Sequence, residues 1–284
     1  MKRTYIFGGI GIILLILVLM LNYQNKMALK EYKYTYNTMG NVVTVTLYTS
    51  SQKKADAVFD DVKNTYNYFS QLGDKDNHYD GMTNLYDIKN NNSSDEYIAI
   101  NNDLVNMLNI GLEWTTKSNC MISVINMCSN PNVSITKNNT ILNNHLDINL
   151  DHILMGYASE KVTSMIKADG LTSYSLSYGA NYILGNYYTF GKYSIGLKND
   201  DNTDVFKTLH IDSNSVSTYK SSAEGIKSVT VISADATYSY MVGYVLSNKT
   251  IDEGKALLKG INVDAIWYTT DDQIITTDGV ADYE

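Results

Sequence analysis

The sequence predicts an α+β fold, with helices concentrated in the first half and strands in the second. Three observations carry this. Apolar residues recur at helical spacing over 51–69 and 102–117. From residue 172 onward, short apolar and β-branched runs of strand length follow one another. No internal repeat and no long linker divides the chain, so the two halves read as one continuous domain.

The chain opens with "MKRTYIFGGIGIILLILVLMLNYQNK". Lys2 and Arg3 precede an uncharged run from Tyr5 to Leu21, at the short end of the roughly 17–25 residues that span a bilayer. A cleaved signal peptide has an apolar core of about 7–15 residues and a small-residue cleavage site. Neither that pattern nor an early lipid-accepting cysteine is present. Residues 1–22 therefore read as a cytoplasmic start and signal-anchor transmembrane helix, 23–33 as a juxtamembrane linker, and 34–284 as the folded domain. This makes the bilayer a partner and places the domain outside the cytoplasm, although Lys26, Lys30 and Lys33 weaken the charge asymmetry.

The domain's elements follow in order. "NVVTVTLYT" (41–49) alternates and is β-branched, a strand. Ala55, Val58, Phe59, Val62, Tyr66 and Phe69 give a helix over 51–69. A loop (73–84) and a polar stretch around a short strand (90–103) lead to a helix over 102–117 on Leu104, Met107, Leu108, Leu112 and Trp114. Residues 133–150 form a hairpin with an Asn-rich turn. A helix over 153–168 stops at Gly170. Strands are expected at 172–178, 181–189, 192–197, 208–211 and 227–233. In "SADATYSYMVGYVLS" (233–247), Tyr238, Met241, Val242, Val245 and Leu246 make one buried helical stripe, with Tyr240 and Tyr244 on another face. A helix near 252–259 and a closing hairpin over 264–279 complete the chain.

Composition narrows function by exclusion. The single proline and 24 tyrosines are unlike a disordered chain. A net charge of −8 without a basic stripe argues against nucleic acid as a partner. Cys120 and Cys128 are the only cysteines. They either pair, which an oxidising compartment permits, or lie buried as small hydrophobes; the second reading is preferred. His78, His145, His152 and His210 fall in no metal-protease spacing, and there is no Gly-x-Ser-x-Gly or P-loop motif.

A series of segments nevertheless carries a resemblance. "MGNVVTVTLY" (39–48) is similar to an opening Met-Gly-Thr strand, and "FSQL" (69–72) and "TNLYDIK" (83–89) to Phe-Ser and Ser-Glu-x-x-x-x-Asn segments. "INNDLVNMLNIGLEWTTKSN" (100–119) resembles a helix leading to Gly-Ala-Phe-Asp. "LDINLDHILMGYASEKV" (146–162) resembles Asp-Leu-Gly-x-x-x-Lys-Gly-Tyr-Ala-x-Asp. "LSYGANYILG" (176–185) is similar to a Gly-Gly-Asn/Asp turn, and "SVTVISADATYSYMVGYVL" (228–246) to a strand and helix carrying Ala-Asp-Ala-x-Ser-Thr. Over about residues 34–261 these resemble the FAD:protein FMN transferases, the ApbE-like flavin transferases of bacterial envelopes.

The resemblance implies a single ApbE-like domain that binds FAD, uses Mg²⁺ and moves FMN onto Ser or Thr of an envelope protein partner. It also implies the positions that would do so. The cofactor-binding positions are Met39, Met121, Asn149, Met155, Tyr157, Gly179 and Asn181; the metal positions are the His152 backbone, Tyr240 and Tyr244. At these places the chain departs from the family. Tyr240 and Tyr244 stand for the Asp and Thr that hold the metal, Met155 for the Lys or Glu before Gly-Tyr, and Asn149 for the opening Asp. Asn119-Cys120-Met121-Ile122 replaces Gly-Ala-Phe-Asp, and the family's His-x-Ile-x-x-Pro loop is missing between 222 and 228. A phenol with a pKa near 10 is a poor ligand for Mg²⁺, which takes hard oxygen donors. No catalytic residue of the family is retained. The expectation is a degenerate, membrane-anchored transferase-like protein kept as a flavin-binding or interaction module. Two alternatives stand beside it: an active divergent transferase recruiting Asp151 or Asp235, and a structural envelope protein without flavin.

Overall fold

In the computed structural model, which describes residues 28–91, 97–124, 133–143, 147–189, 191–198 and 204–284, the sheet begins with a hairpin. Strands β1 (Lys30–Thr38) and β2 (Asn41–Thr49) pair antiparallel from Lys30↔Thr49 to Thr38↔Asn41. Met39 and Gly40 join them with φ of 45° and 71°, the pattern of a type I′ turn. Glycine adopts this freely, whereas Met39 does so at a steric cost. The sheet thus starts at Lys30, ahead of residue 34. Tyr32, Tyr34 and Tyr36 alternate along β1, and the rings of Tyr34 and Tyr36 reach Phe59 at 5.6 Å and Tyr66 at 5.7 Å.

The remaining elements are α1 (Gln52–Leu72), α2 (Leu85–Asn90), β3 (Ile98–Ala99), α3 (Asn102–Lys117), β4 (Val133–Ile135), β5 (Thr140–Asn143), α4 (Leu154–Ala168), β6 (Tyr174–Tyr178), β7 (Asn181–Leu184), β8 (Tyr193–Lys198), β9 (Val205–Ile211), β10 (Ser215–Lys220), β11 (Ile226–Ser233), α5 (Ala236–Leu246), α6 (Ile251–Leu257), β12 (Asp264–Thr269) and β13 (Ile274–Thr276), followed by a 3₁₀ turn over Asp278–Tyr283. One eight-stranded sheet runs in the order β1-β2-β6-β7-β10-β11-β12-β13, with every neighbouring pair antiparallel. β3-β5-β4 and β8-β9 form two smaller sheets.

The middle of the large sheet, from β7 to β12, is buried on both faces, so alternate residues of β11 feed different cores. Val229 and Val231 pack with the helices, and Ile232 packs with β8 and β9. On the helical face α1 lies over β1 and β2, α5 lies over β10 and β11, and α4 packs between α1 and α5. The arrangement is α+β, as the sequence predicts. Side chains start most of the helices. Ser51, Asn101 and Asp235 accept backbone N–H groups, and Asn84 with Asp87 and Thr250 with Glu253 form capping boxes.

Several expectations shift for physical reasons. β10 was not foreseen, because "SVSTYK" offers few apolar residues; its neighbours β7 and β11 carry it through backbone pairing. The strand expected over 181–189 stops at Leu184. Gly185 turns there so closely that a Cβ would lie 2.3 Å from the Thr172 carbonyl and 2.6 Å from the Tyr174 ring. Cys120 is disulfide-bonded, which corrects its reading as a buried small hydrophobe. It follows Asn119 in two consecutive left-handed residues (φ 55° and 67°), and this turn leaves it half-buried. The sequence's other cysteine, Cys128, lies outside the described residues. Residues 1–22, read as the anchor, also lie outside them; among the described residues no helix is long and apolar enough to cross a membrane.

Gly185→Ala is expected to destabilise the domain by about 1–3 kcal/mol through overpacking. An unfolding midpoint shifted to lower urea, with the slope unchanged, would report this.

Candidate functional site

Helix α5 is enclosed on nearly all sides. The Asp235 carboxylate caps it, accepting the N–H groups of Thr237 at 2.7 Å and Tyr238 at 3.3 Å. Met241, Val242, Val245 and Leu246 are fully buried, as their spacing predicts, whereas Tyr238, expected in the same stripe, is only half-buried because it lines a pocket. Ala236, Thr237, Ser239 and Gly243 are buried too, which a single stripe does not anticipate. Ser239 hydrogen-bonds Ser215 (2.6 Å) and Ser217 (3.2 Å) on β10. Gly156 of α4 lets the two helices touch, since a Cβ there would stand 2.9 Å from Tyr240 Cβ and 3.0 Å from the Ala236 carbonyl.

This crossing aims the two tyrosines. Tyr240 lies among rings, with centroids 6.1 Å from Tyr178 and 5.9 Å from Tyr219. Tyr244 meets Tyr219 edge-on at 6.5 Å and stacks on His152 at 3.6 Å with a 13° interplanar angle. Burial pushes the Tyr240 hydroxyl above its ordinary value, and does the same to Tyr178 and Tyr219. These phenols are neutral at physiological pH.

Tyr240 also forms one wall of a cleft of about 330 Å³, together with Met39, Asn41, Ser70, Asp151 and Met155. Met39 joins the lining from the left-handed turn between β1 and β2. Asp151 is the lone acid in the cleft's lining, and its carboxylate lies 3.5 Å from the Lys75 ammonium. Asn149 shapes this corner: its side-chain oxygen accepts the Asp151 N–H at 2.8 Å, and its own N–H donates to the Val124 carbonyl. α4 begins here with no side-chain cap.

The expected positions are thus only partly brought together. Met39, Met155 and Tyr240 share the cleft, with Tyr244 and His152 stacked on each other and Tyr219 linking the two tyrosines. Met121 is half-buried against the core. The Tyr157 hydroxyl turns toward α3, donating to Asp103 at 3.0 Å and accepting from Asn106 at 3.2 Å. The Lys161 ammonium closes that network, 2.9 Å from Asp103 and over the Tyr157 ring. Gly179 (φ 54°) occupies the turn between β6 and β7, where the Asn181 amide donates to the Tyr178 carbonyl at 3.1 Å. Gly179 and Asn181 lie beside another pocket, of about 240 Å³, that Gly179 lines with Tyr182 and Lys198. Asp235 borders a third, of about 340 Å³, with Lys117 and Tyr238.

Sequence reasoning missed Tyr178, Tyr219 and Lys75. Tyr178 sits directly before the glycine turn, a detectable signal; Tyr219 belongs to the unforeseen strand and gave none.

The donors do not fit a magnesium ion. Mg²⁺ takes hard oxygen ligands, typically one or two carboxylates with waters and phosphate. The lining here offers one phenol, the Asn41 amide, the Ser70 hydroxyl and a single carboxylate, Asp151, that already faces the Lys75 ammonium. Among the described residues no three His, Cys, Asp or Glu side chains cluster to hold a metal.

The His152 stack makes a pH prediction. Burial pulls its imidazole below the ordinary 6.5, so the fold prefers the neutral ring and the unfolded chain binds more protons at lower pH. The stability it supplies is present above about 6.5 and is lost as pH falls below it. His152→Phe keeps a stacking ring but removes the titration. Its melting temperature is expected to fall less than the wild type's between about pH 7.5 and about pH 5.5, as calorimetry would read; equal losses would place the effect elsewhere.

No family model and no curated protein matches the sequence. Solved structures do. Flavin transferase ApbE from Vibrio cholerae superposes with a TM-score of 0.72 at 11% identity, covering 90% of this chain and 100% of that one. The ApbE protein of Thermotoga maritima gives 0.74 at 14% identity, covering 90% and 99%. The apo form of the Pseudomonas stutzeri flavinyl transferase ApbE gives 0.72 at 14%, covering 90% and 98%. At that coverage and with so little shared sequence, the chain has the fold of the ApbE flavin transferases.

Proposed function

We propose that this chain is a membrane-anchored, extracytoplasmic protein with the flavin-transferase fold that has lost FMN transfer and is retained as a flavin-binding or interaction module. One observation carries the reading. Tyr240 stands where the resemblance puts a metal-holding acid, and it is a neutral phenol packed between Tyr178 and Tyr219 at the wall of the cleft. Catalysis of phosphoryl chemistry depends on charge placed opposite the developing negative oxygens, and this wall supplies none.

Flavin binding draws support from the same cleft. About 330 Å³ is at the lower end of the roughly 300–1,000 Å³ typical of ligand sites. Met39, Met155 and Tyr240 give it apolar and aromatic surface. The N-terminus of α4, without a side-chain cap, is the kind of backbone that favours a phosphate.

A second reading, an active divergent transferase, is favoured by one specific feature: Asp151 lies in the cleft beside Tyr240. The two are separated by incubating the purified full-length chain with FAD, Mg²⁺ and an acceptor carrying the family's flavinylation motif. The expected outcome is neither AMP release nor a flavinylated acceptor. AMP release that needs Mg²⁺, stops with EDTA and is abolished by Asp151→Asn would establish the second reading. Titration with FAD is expected to give saturable quenching of flavin fluorescence; none would leave the interaction role alone.

A further inference from the structure

We propose that the tyrosine-rich end of the large sheet, where the chain enters β1, is the surface on which the domain rests against the interfacial layer of the bilayer. This rests on the reading of residues 5–21 as a membrane anchor.

The patch is built from two segments that meet at the start of β1. Lys30 pairs with Thr49 and Glu31 with Tyr48, and the Tyr48 hydroxyl donates to Glu31 at 3.3 Å. The Tyr48 ring stacks on Tyr188 at 4.2 Å with a 7° interplanar angle. Tyr187 lies 4.8 Å from Tyr188 and meets Tyr193 edge-on at 4.9 Å. Four aromatic rings thus form a continuous row that begins at Tyr48, opposite the second residue of β1. Two large apolar side chains of this end remain open to solvent: Leu29 is 47% exposed and Tyr188 38%.

Chain length argues for the occupant. The apolar run ends at Leu21 and β1 begins at Lys30, so the residues between reach at most ~30 Å even when extended. This end of the domain cannot stand far from the membrane, while the opposite end, at the Met39-Gly40 turn, lies ~27 Å further along the strand. Tyrosine suits the boundary, because its ring sits among the upper acyl chains while its hydroxyl stays with the headgroups. A net charge of −8 gives anionic lipid no general hold on the protein, which leaves aromatic contact as the means of seating it.

The test uses full-length chains in vesicles of phosphatidylcholine and phosphatidylglycerol carrying a lipid with a quencher in its headgroup. Trp114 and Trp267 are fully buried and set the baseline. Tyr188→Trp reports the patch, and Leu29→Trp reports the same end without disturbing the ring stack. Val42→Trp, at a 60% exposed position beside the far turn, is the control. Several-fold greater quenching for Tyr188→Trp and Leu29→Trp than for Val42→Trp is expected. Equal quenching in chains that float with the vesicles overturns the surface but leaves the anchor. A chain that does not float with them overturns the anchor and the surface together.

Discussion

Everything around the cleft depends on how closely α4 and α5 cross. Gly156 brings the backbones together at Tyr240 Cβ and the Ala236 carbonyl. Two polar contacts then hold the register. The Glu160 carboxylate accepts the Ala236 N–H at 2.8 Å, and the Ser159 hydroxyl bonds Tyr66 of α1 at 2.8 Å. Burial raises the Glu160 pKa, but the amide at the start of α5 offers its oxygen a partner, and a helix N-terminus favours a carboxylate. Because α4 is wedged between α1 and α5, this one crossing fixes Met155 on one side of the cleft and Tyr240 on another.

The aromatic wall follows from the cost of charge. An acid left in such a position without its cation would be a desolvated, unpaired carboxylate, which costs several kcal/mol. A phenol removes that penalty, and its ring fills space and gains edge contacts with Tyr178 and Tyr219. Under the proposed function, loss of the cation and loss of its acids are therefore one change. Asp151 is tolerated because it is largely exposed and faces Lys75.

The sequence made the helices easy to read and the strands less so. Val58, Phe59, Val62 and Tyr66 mark α1 by period, and four of the five residues of the α5 stripe are buried as their spacing requires, Tyr238 being the exception. β1 escaped notice because its pattern is tyrosine against lysine and threonine, and β10 because Ser215 and Ser217 are buried through bonds to Ser239 that no local pattern reveals. The site was legible only through segment resemblance. Of the positions that resemblance implies, the fold gathers Met39, Met155 and Tyr240 at one cleft, while the Tyr157 hydroxyl belongs to Asp103 and Asn106. Which way a side chain turns is decided by packing across helices, and spacing along the chain does not encode it.

The position of β1 carries one more consequence. It is the outermost strand of the large sheet, nine residues long, and one of its backbone edges faces no strand of that sheet. An edge of this length is a template on which a second copy can pair and begin a fibre. Lys30, Glu31 and Lys33 lie along it, and charges placed there oppose such pairing, because two copies docking edge to edge would have to desolvate them. The polar residues that made β1 hard to recognise as a strand are thus also those that guard it against self-association.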